Sequence, residues 1–235
     1  MRGISTSMRF PDLRDRPFLA AILALVAIRV SILWLDRPLA HVMSGAPPWL
    51  RDLAEWVTRL GRSDLYLVPL GVAILLILVA SRYLEPAPRR ATARSWAWVA
   101  GFVWLSVALS GLLIDVVKLI AGRPRPIMAD AHSDPFTFGY AFQSFPSGHT
   151  TVAFGLALSL SLLWPRWRWP LILFAVAVAA SRVILLSHYL GDTLGGALAA
   201  WLTVTWLANQ FARRGLVFKR DERGRLVRRS PAAGS

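Results

Sequence analysis

No cysteine occurs among the 235 residues, so disulfides, thiolate metal sites and thiol nucleophiles are all excluded. Acidic residues are scarce: 13 Asp and Glu stand against 27 Lys and Arg, a net charge of +14. Charged residues make up only 17% of the chain, and its mean hydropathy is +0.49, too apolar for an ordinary soluble domain of this length. Internal repeats and low-complexity domains are also missing from the sequence.

What is abundant is hydrocarbon, at 55% of residues. Six stretches, 17–36, 65–82, 96–120, 148–164, 170–187 and 190–211, are long and apolar enough to cross about 30 Å of hydrocarbon. Unpaired backbone groups are costly in lipid, so each stretch is expected as a helix, and the unbroken apolar runs exclude a closed barrel. The expected fold is all-α, an integral-membrane bundle of six transmembrane helices over 17–211. A cytoplasmic segment, 1–16, would precede it and a basic cytoplasmic tail, 212–235, would follow. The opening, basic and then apolar from Pro17 to Leu35, lacks a small-x-small cleavage site and is read as an uncleaved first span.

The net charge suggests nucleic acid until its distribution is traced. Arg2, Arg9, Arg14 and Arg16, then Arg82, Arg89, Arg90 and Arg94, then Arg166 and Arg168 fall on one side of the alternating spans. The cations from Arg213 to Arg229 join them. Only Arg37, Arg51, Arg59 and Arg62 lie on opposite loops, apart from cations in the polar strings described next. That asymmetry assigns both termini to the cytoplasm and leaves nucleic acid without a role. Trp96, Trp98, Trp164, Trp167 and Trp169 gather at the same face, as an interfacial aromatic belt does. The tail is expected to be a flexible basic segment against anionic lipid, or a solvated topology anchor. Arg29 lies mid-span with no assignable partner.

Three polar strings interrupt the apolar background. Lys118 is followed by Arg125-Pro126; Pro146-Ser147-Gly148-His149 comes next; Ser181-Arg182 precedes His188 and Asp192. Together they supply three cations, two imidazoles and a carboxylate, the set that phosphoryl transfer through a phosphohistidine requires. Lys118, Arg125 and Arg182 are suited to neutralise phosphate oxygens. Each alone would read as a snorkelling interface anchor. Asp115, three residues before Lys118, is placed to pair with it. Ser147 and Gly148 open a helix whose free N–H groups attract an anion, with Ser147 also a natural N-cap. His188 and Asp192 are one helical turn apart, so the carboxylate is expected to hold the imidazole in its attacking tautomer. All three strings fall on the non-cytoplasmic side by span parity.

These strings resemble the type-2 phosphatidic acid phosphatase family, whose pattern K-x6-RP, PSGH and SR-x5-H-x3-D is met without departure between Leu112 and Trp201. The resemblance implies an integral-membrane phosphatase acting on a lipid phosphate or pyrophosphate. Undecaprenyl pyrophosphate, phosphatidylglycerol phosphate, phosphatidic acid and lipid A phosphate are the candidates. It further implies His188 as nucleophile, His149 as general acid, Lys118, Arg125, Ser147, Gly148 and Arg182 as phosphate binders, and chemistry with no metal or other cofactor. The expected location is a bacterial inner membrane with the site on the periplasmic face and lipids as partners. A lipid-phosphate phosphotransferase and a non-catalytic lipid-binding protein are the alternatives. Vanadium haloperoxidases share a similar site but are soluble.

Two further segments stand out. Trp49, Leu53, Trp56, Val57 and Leu60 recur at helical spacing opposite Arg51, Asp52, Glu55 and Arg59, which predicts an interfacial helix that anchors the loop or guides lipid. Phe136, Phe138, Tyr140, Phe142 and Phe145 suggest an aromatic lip in the long 122–145 connection. Asp130, His132 and Asp134 in that loop are set aside as a metal site because three cations already serve the phosphate.

Overall fold

The computed structural model describes residues 17–128, 135–136, 139–222 and 224–229. Asp130, His132 and Asp134, together with Phe138 and the basic residues before Pro17, lie outside them. The first helix, α1 (Pro17–Val30), passes through a π-helical turn at Ser31–Leu35 into α2 (Asp36–Ser44). Then come α3 (Pro48–Arg59), α4 (Asp64–Ser81), α5 (Ala87–Ala121), α6 (Gly148–Leu163), α7 (Arg168–Ile184) and α8 (Leu190–Arg213). A hairpin of β1 (Phe218–Arg220) and β2 (Leu226–Arg228) follows, antiparallel with Phe218 opposite Arg228.

These bounds lie close to the expected spans, with two extensions: the first runs helically to Ser44 rather than stopping at 36, and the third begins at Ala87 rather than at 96. Four helical stretches, Phe18–Ser44, Pro48–Ser81, Ala87–Met128 and Pro165–Ile184, are long and apolar enough to cross a membrane. The remaining two helices are the interior ones. α6 has 16 residues and carries buried Thr150, Thr151 and Ser159. α8 carries buried Gly191, Asp192, Thr193, Gly195, Gly196 and Thr203. α6 is apolar but short of a full span, and α8 carries small and polar side chains where it faces protein rather than lipid.

α6 sits at the centre, packed by α5, α7 and α8, while α4 leans on α5 and α1 on α8. α8 approaches the start of α6 so closely that a Cβ on Gly196 would lie 2.7 Å from the Ser147 carbonyl oxygen. Only glycine allows that approach.

The tail departs from the flexible segment expected of it. Val217 and Phe218 are buried, and Phe218 packs edge-on against Phe102, which in turn meets Phe211. Arg228 lies over the rings of Trp96 and Trp164 at 5.0 and 5.1 Å. The sequence reading weighed only the cations, whereas two apolar residues in a basic run are enough to fold it back onto the bundle.

α3 is the helix expected between the first two spans, but its apolar residues split into two sets. Trp49, Leu53 and Trp56 remain exposed, whereas Ala54 is buried and Val57 and Leu60 pack against Val178 and its neighbours in the α6–α7 core.

Candidate active site

Lys118 at the end of α5, His149 at the start of α6, Arg182 at the end of α7, and His188 and Asp192 around the start of α8 come together at one end of the bundle. The connection after α5 brings Arg125 to the same place. Arg89, Arg90, Arg94, Arg166 and the hairpin belong to the opposite end, as the alternation of helices requires.

His188 is 3% exposed, and its Nδ1 lies 2.7 Å from the carbonyl oxygen of Ser144. A carbonyl only accepts, so Nδ1 carries the proton and Nε2 holds the lone pair. Nε2 faces Arg125 Nη1 at 3.2 Å. Burial pushes the imidazole below its ordinary pKa and Asp192 opposes the shift, so the ring is neutral near pH 7.

The expected hydrogen bond from His188 to Asp192 is replaced by a longer contact. Nδ1 and Asp192 Oδ2 are 3.7 Å apart, too far for one. The tautomer is set by the Ser144 carbonyl, while Asp192 Oδ2 accepts from Ser144 Oγ at 2.5 Å and from the Tyr189 backbone N–H at 2.8 Å. Helical spacing alone brought residues 188 and 192 together on paper. His188 precedes the helix, and the loop turns its ring toward residue 144.

Arg125 is fixed by backbone oxygens. Its Nε donates to Tyr140 at 2.8 Å and its Nη1 to Ser187 at 2.6 Å, and the guanidinium stacks 3.7 Å from the Tyr140 ring centroid. Tyr140 thus serves the site from within the expected aromatic lip, and Phe145 turns inward against Gly195, whereas Phe136 is exposed.

Arg182 donates from Nη1 to Thr58 Oγ1 of α3 at 2.7 Å, and its buried Nε has no hydrogen-bond partner among the described residues. Lys118 Nζ is 3.5 Å from Asp115 Oδ1, the pairing expected, and hangs over the α6 N-terminus, 3.5 Å from where a Gly148 Cβ would stand.

Ser147 occupies the N-cap position of α6, but its side chain makes no capping bond. Its hydroxyl accepts from Thr150 Oγ1 at 3.0 Å, which leaves the first N–H groups of α6 free of a side-chain cap. Lys118, Gly148 and His149 line the polar end of a groove of about 560 Å³ whose walls continue through Leu67, Trp104 and Val107 between α4 and α5.

Sequence reasoning missed Thr58, Gly61 and Asp36, and it placed Arg123 among the cations at the site without giving it a role. A Cβ on Gly61 would lie 2.8 Å from the Cβ of His149, so this glycine is the wall behind that ring. Asp36 carried a signal, an acid in a long apolar helix, which intramembrane charge costs mark as functional. Arg123 lies within the first string, between Lys118 and Arg125, at a position that the K-x6-RP pattern leaves variable.

Comparison with known proteins adds ancestry to geometry. Residues 99–216 match the family model for the PAP2 superfamily. The chain is 33% identical over 204 residues to a lipid A 1-phosphatase of Rhizobium johnstonii, covering 82% of this chain and 80% of that one. With the undecaprenyl-diphosphatase BcrC of Bacillus subtilis it shares 35% identity over 96 residues, 39% of this chain and 48% of the relative. The crystal structure of a transmembrane PAP2-type phosphatidylglycerolphosphate phosphatase from Bacillus subtilis superposes with a TM-score of 0.57 at 24% identity, over 85% of this chain and 96% of that one. The long apolar helices and this shared fold make the protein an integral membrane protein. By family model and by identity across most of its length, the chain belongs to the PAP2 superfamily.

Proposed function

We propose that this protein is a membrane phosphatase that hydrolyses a lipid phosphate or pyrophosphate through a phosphohistidine at His188. The observation that carries the reading is the His188 ring itself. Its proton is held on Nδ1 by a carbonyl, and the Nε2 lone pair faces a buried guanidinium.

In the first step Nε2 attacks phosphorus and the bond to the leaving oxygen breaks, with His149 giving that oxygen its proton. In the second, water attacks the phosphohistidine, His149 takes the water's proton, and the N–P bond breaks to release phosphate. Lys118, Arg125, Arg182 and the α6 N-terminus stabilise the charge on the equatorial oxygens. The unpartnered Nε of Arg182 supports this role, because a buried donor left without an acceptor costs about 1–3 kcal/mol until an anion supplies one. The groove beside His149, polar at Lys118 and His149 and apolar along Leu67, Trp104, Val107 and Leu112, suits a phosphate whose lipid chain stays in the bilayer.

All of α1–α2, α4, α5, α6, α7 and α8 cross the membrane in this reading, as one phosphatase unit over 17–211. Both termini are cytoplasmic and the site faces the periplasm. The relatives make lipid A 1-phosphate and undecaprenyl pyrophosphate the first substrates to assay, ahead of phosphatidylglycerol phosphate and phosphatidic acid. The test is phosphate release from that panel by detergent-purified protein and by His188→Ala. Wild-type turnover that vanishes in a folded His188→Ala variant is the expected result, whereas substantial release by the variant would remove His188 from the mechanism.

A further inference from the structure

The polar strings end at Asp192, but its carboxylate is one part of a larger buried unit. Arg123 bridges two acids: its Nη1 donates to Asp192 Oδ1 at 2.5 Å and its Nη2 to Asp36 Oδ2 at 2.7 Å. Asp36 is 2% exposed and Asp192 0%. The remaining oxygen of Asp36, Oδ1, accepts from Ser31 Oγ and from the Gly191 backbone N–H, each at 2.8 Å. Asp36 reaches this position from the first helix, far outside the residues that match the family model, just where the π turn ends. Single π turns inside α-helices often accompany functional sites.

The charges in this unit do not cancel. Two carboxylates and one guanidinium leave a formal charge of −1 in a desolvated place, which the nearby Arg125 offsets in part and a further positive charge close to Asp192 would offset more. The His188 ring, 3.7 Å from Asp192, is the neighbour that acquires one. When Nε2 takes the phosphoryl group and Nδ1 keeps its proton, the imidazole ring becomes cationic, and the unit and the ring are then neutral together.

We infer that Asp36 and Arg123 are positioning residues for phosphoryl transfer: Arg123 holds Asp192 beside His188, and Asp36 sets the unit's charge so that it favours the cationic ring. This rests on the phosphohistidine reading. The other charged or titratable groups facing His188 are Arg125 from the connection after α5, Arg182 from α7 and His149 from α6. They stay constant across the variants below, so differences report the unit alone.

The experiment uses the full chain in detergent with two independent readouts. One is the titration of His188 by NMR of ring-labelled histidine, assigned by its loss in His188→Ala. The other is the kcat and KM for para-nitrophenyl phosphate as a function of pH. Asp36→Asn removes a negative charge and should lower the His188 pKa by about half a unit or more. Arg123→Gln removes a positive one and should raise it by a similar amount. The acid limb of kcat/KM should move the same way, because only neutral His188 attacks. Arg123→Lys keeps the charge but not the fork, so the titration should stay near wild type while kcat drops about tenfold at nearly constant KM.

Shifts of one sign in both charge variants, or no shift in folded protein, would overturn the electrostatic role. Wild-type kcat in Arg123→Lys would overturn the positioning role. If wild-type protein hydrolyses no phosphate ester, the phosphohistidine reading fails instead, and the NMR titration still decides whether the unit governs His188.

Discussion

Arg182 is tied to α3 by a side-chain hydrogen bond to a threonine 124 positions away in the chain. Thr58→Val keeps the shape of that side chain but leaves a second buried guanidinium nitrogen unpaired, and a hydrogen bond to a charged group is worth about 1.5–3 kcal/mol. The expected outcome is a loss of ~10-fold or more in kcat/KM for the lipid phosphate, with insertion and folding intact. Unchanged kinetics would show that Arg182 is oriented by its packing alone. The same residue shows where sequence reading stops. Lys118, Arg125, His149, Arg182, His188 and Asp192 were legible because each lies in a short string of fixed spacing. Thr58 was not, since it meets the site through a contact across 124 positions; Asp36 stood out as an acid in an apolar helix, but no local pattern encodes its pairing with Arg123 across 87 positions.

At the scale of elements, helix positions were legible wherever lipid dictates composition. α4 and α7 begin and end within a few residues of expectation because apolar length is the physical requirement there. The hairpin was illegible for the converse reason: its strands are three residues each, and the run is dominated by charge. Its docking makes a quantitative prediction. Phe218 is 1% exposed between Phe102 and the end of α8, and truncating a buried phenylalanine costs about 3–5 kcal/mol. Phe218→Ala should therefore lower the thermal midpoint in detergent while leaving kcat at 25 °C close to wild type, because the hairpin is at the end of the bundle away from His188. A wild-type midpoint would mean that the hairpin contributes nothing to stability. A lost kcat in folded protein would mean that the two ends of the bundle are coupled through α5 and α8.

For the whole molecule, the distribution of charge and the helix alternation describe one arrangement from two directions. Arg89, Arg90, Arg94, Arg166 and the hairpin cations lie at one end, with Trp96 and Trp164 clasping Arg228 there. The histidines and their cations lie at the other. Positive residues are retained on the cytoplasmic side during insertion, so the site end should face outward, and a substrate would have to be presented in the outer leaflet. The absence of cysteine makes this directly measurable, since any thiol label reports an introduced residue. Ser44, exposed at the end of α2, and Glu85, exposed between α4 and α5, mark the two ends. In intact cells an impermeant maleimide should label Ser44→Cys and spare Glu85→Cys until the membrane is opened. The reverse pattern would place the histidines in the cytoplasm, and the phosphatase would then have to draw its lipid phosphate from the inner leaflet.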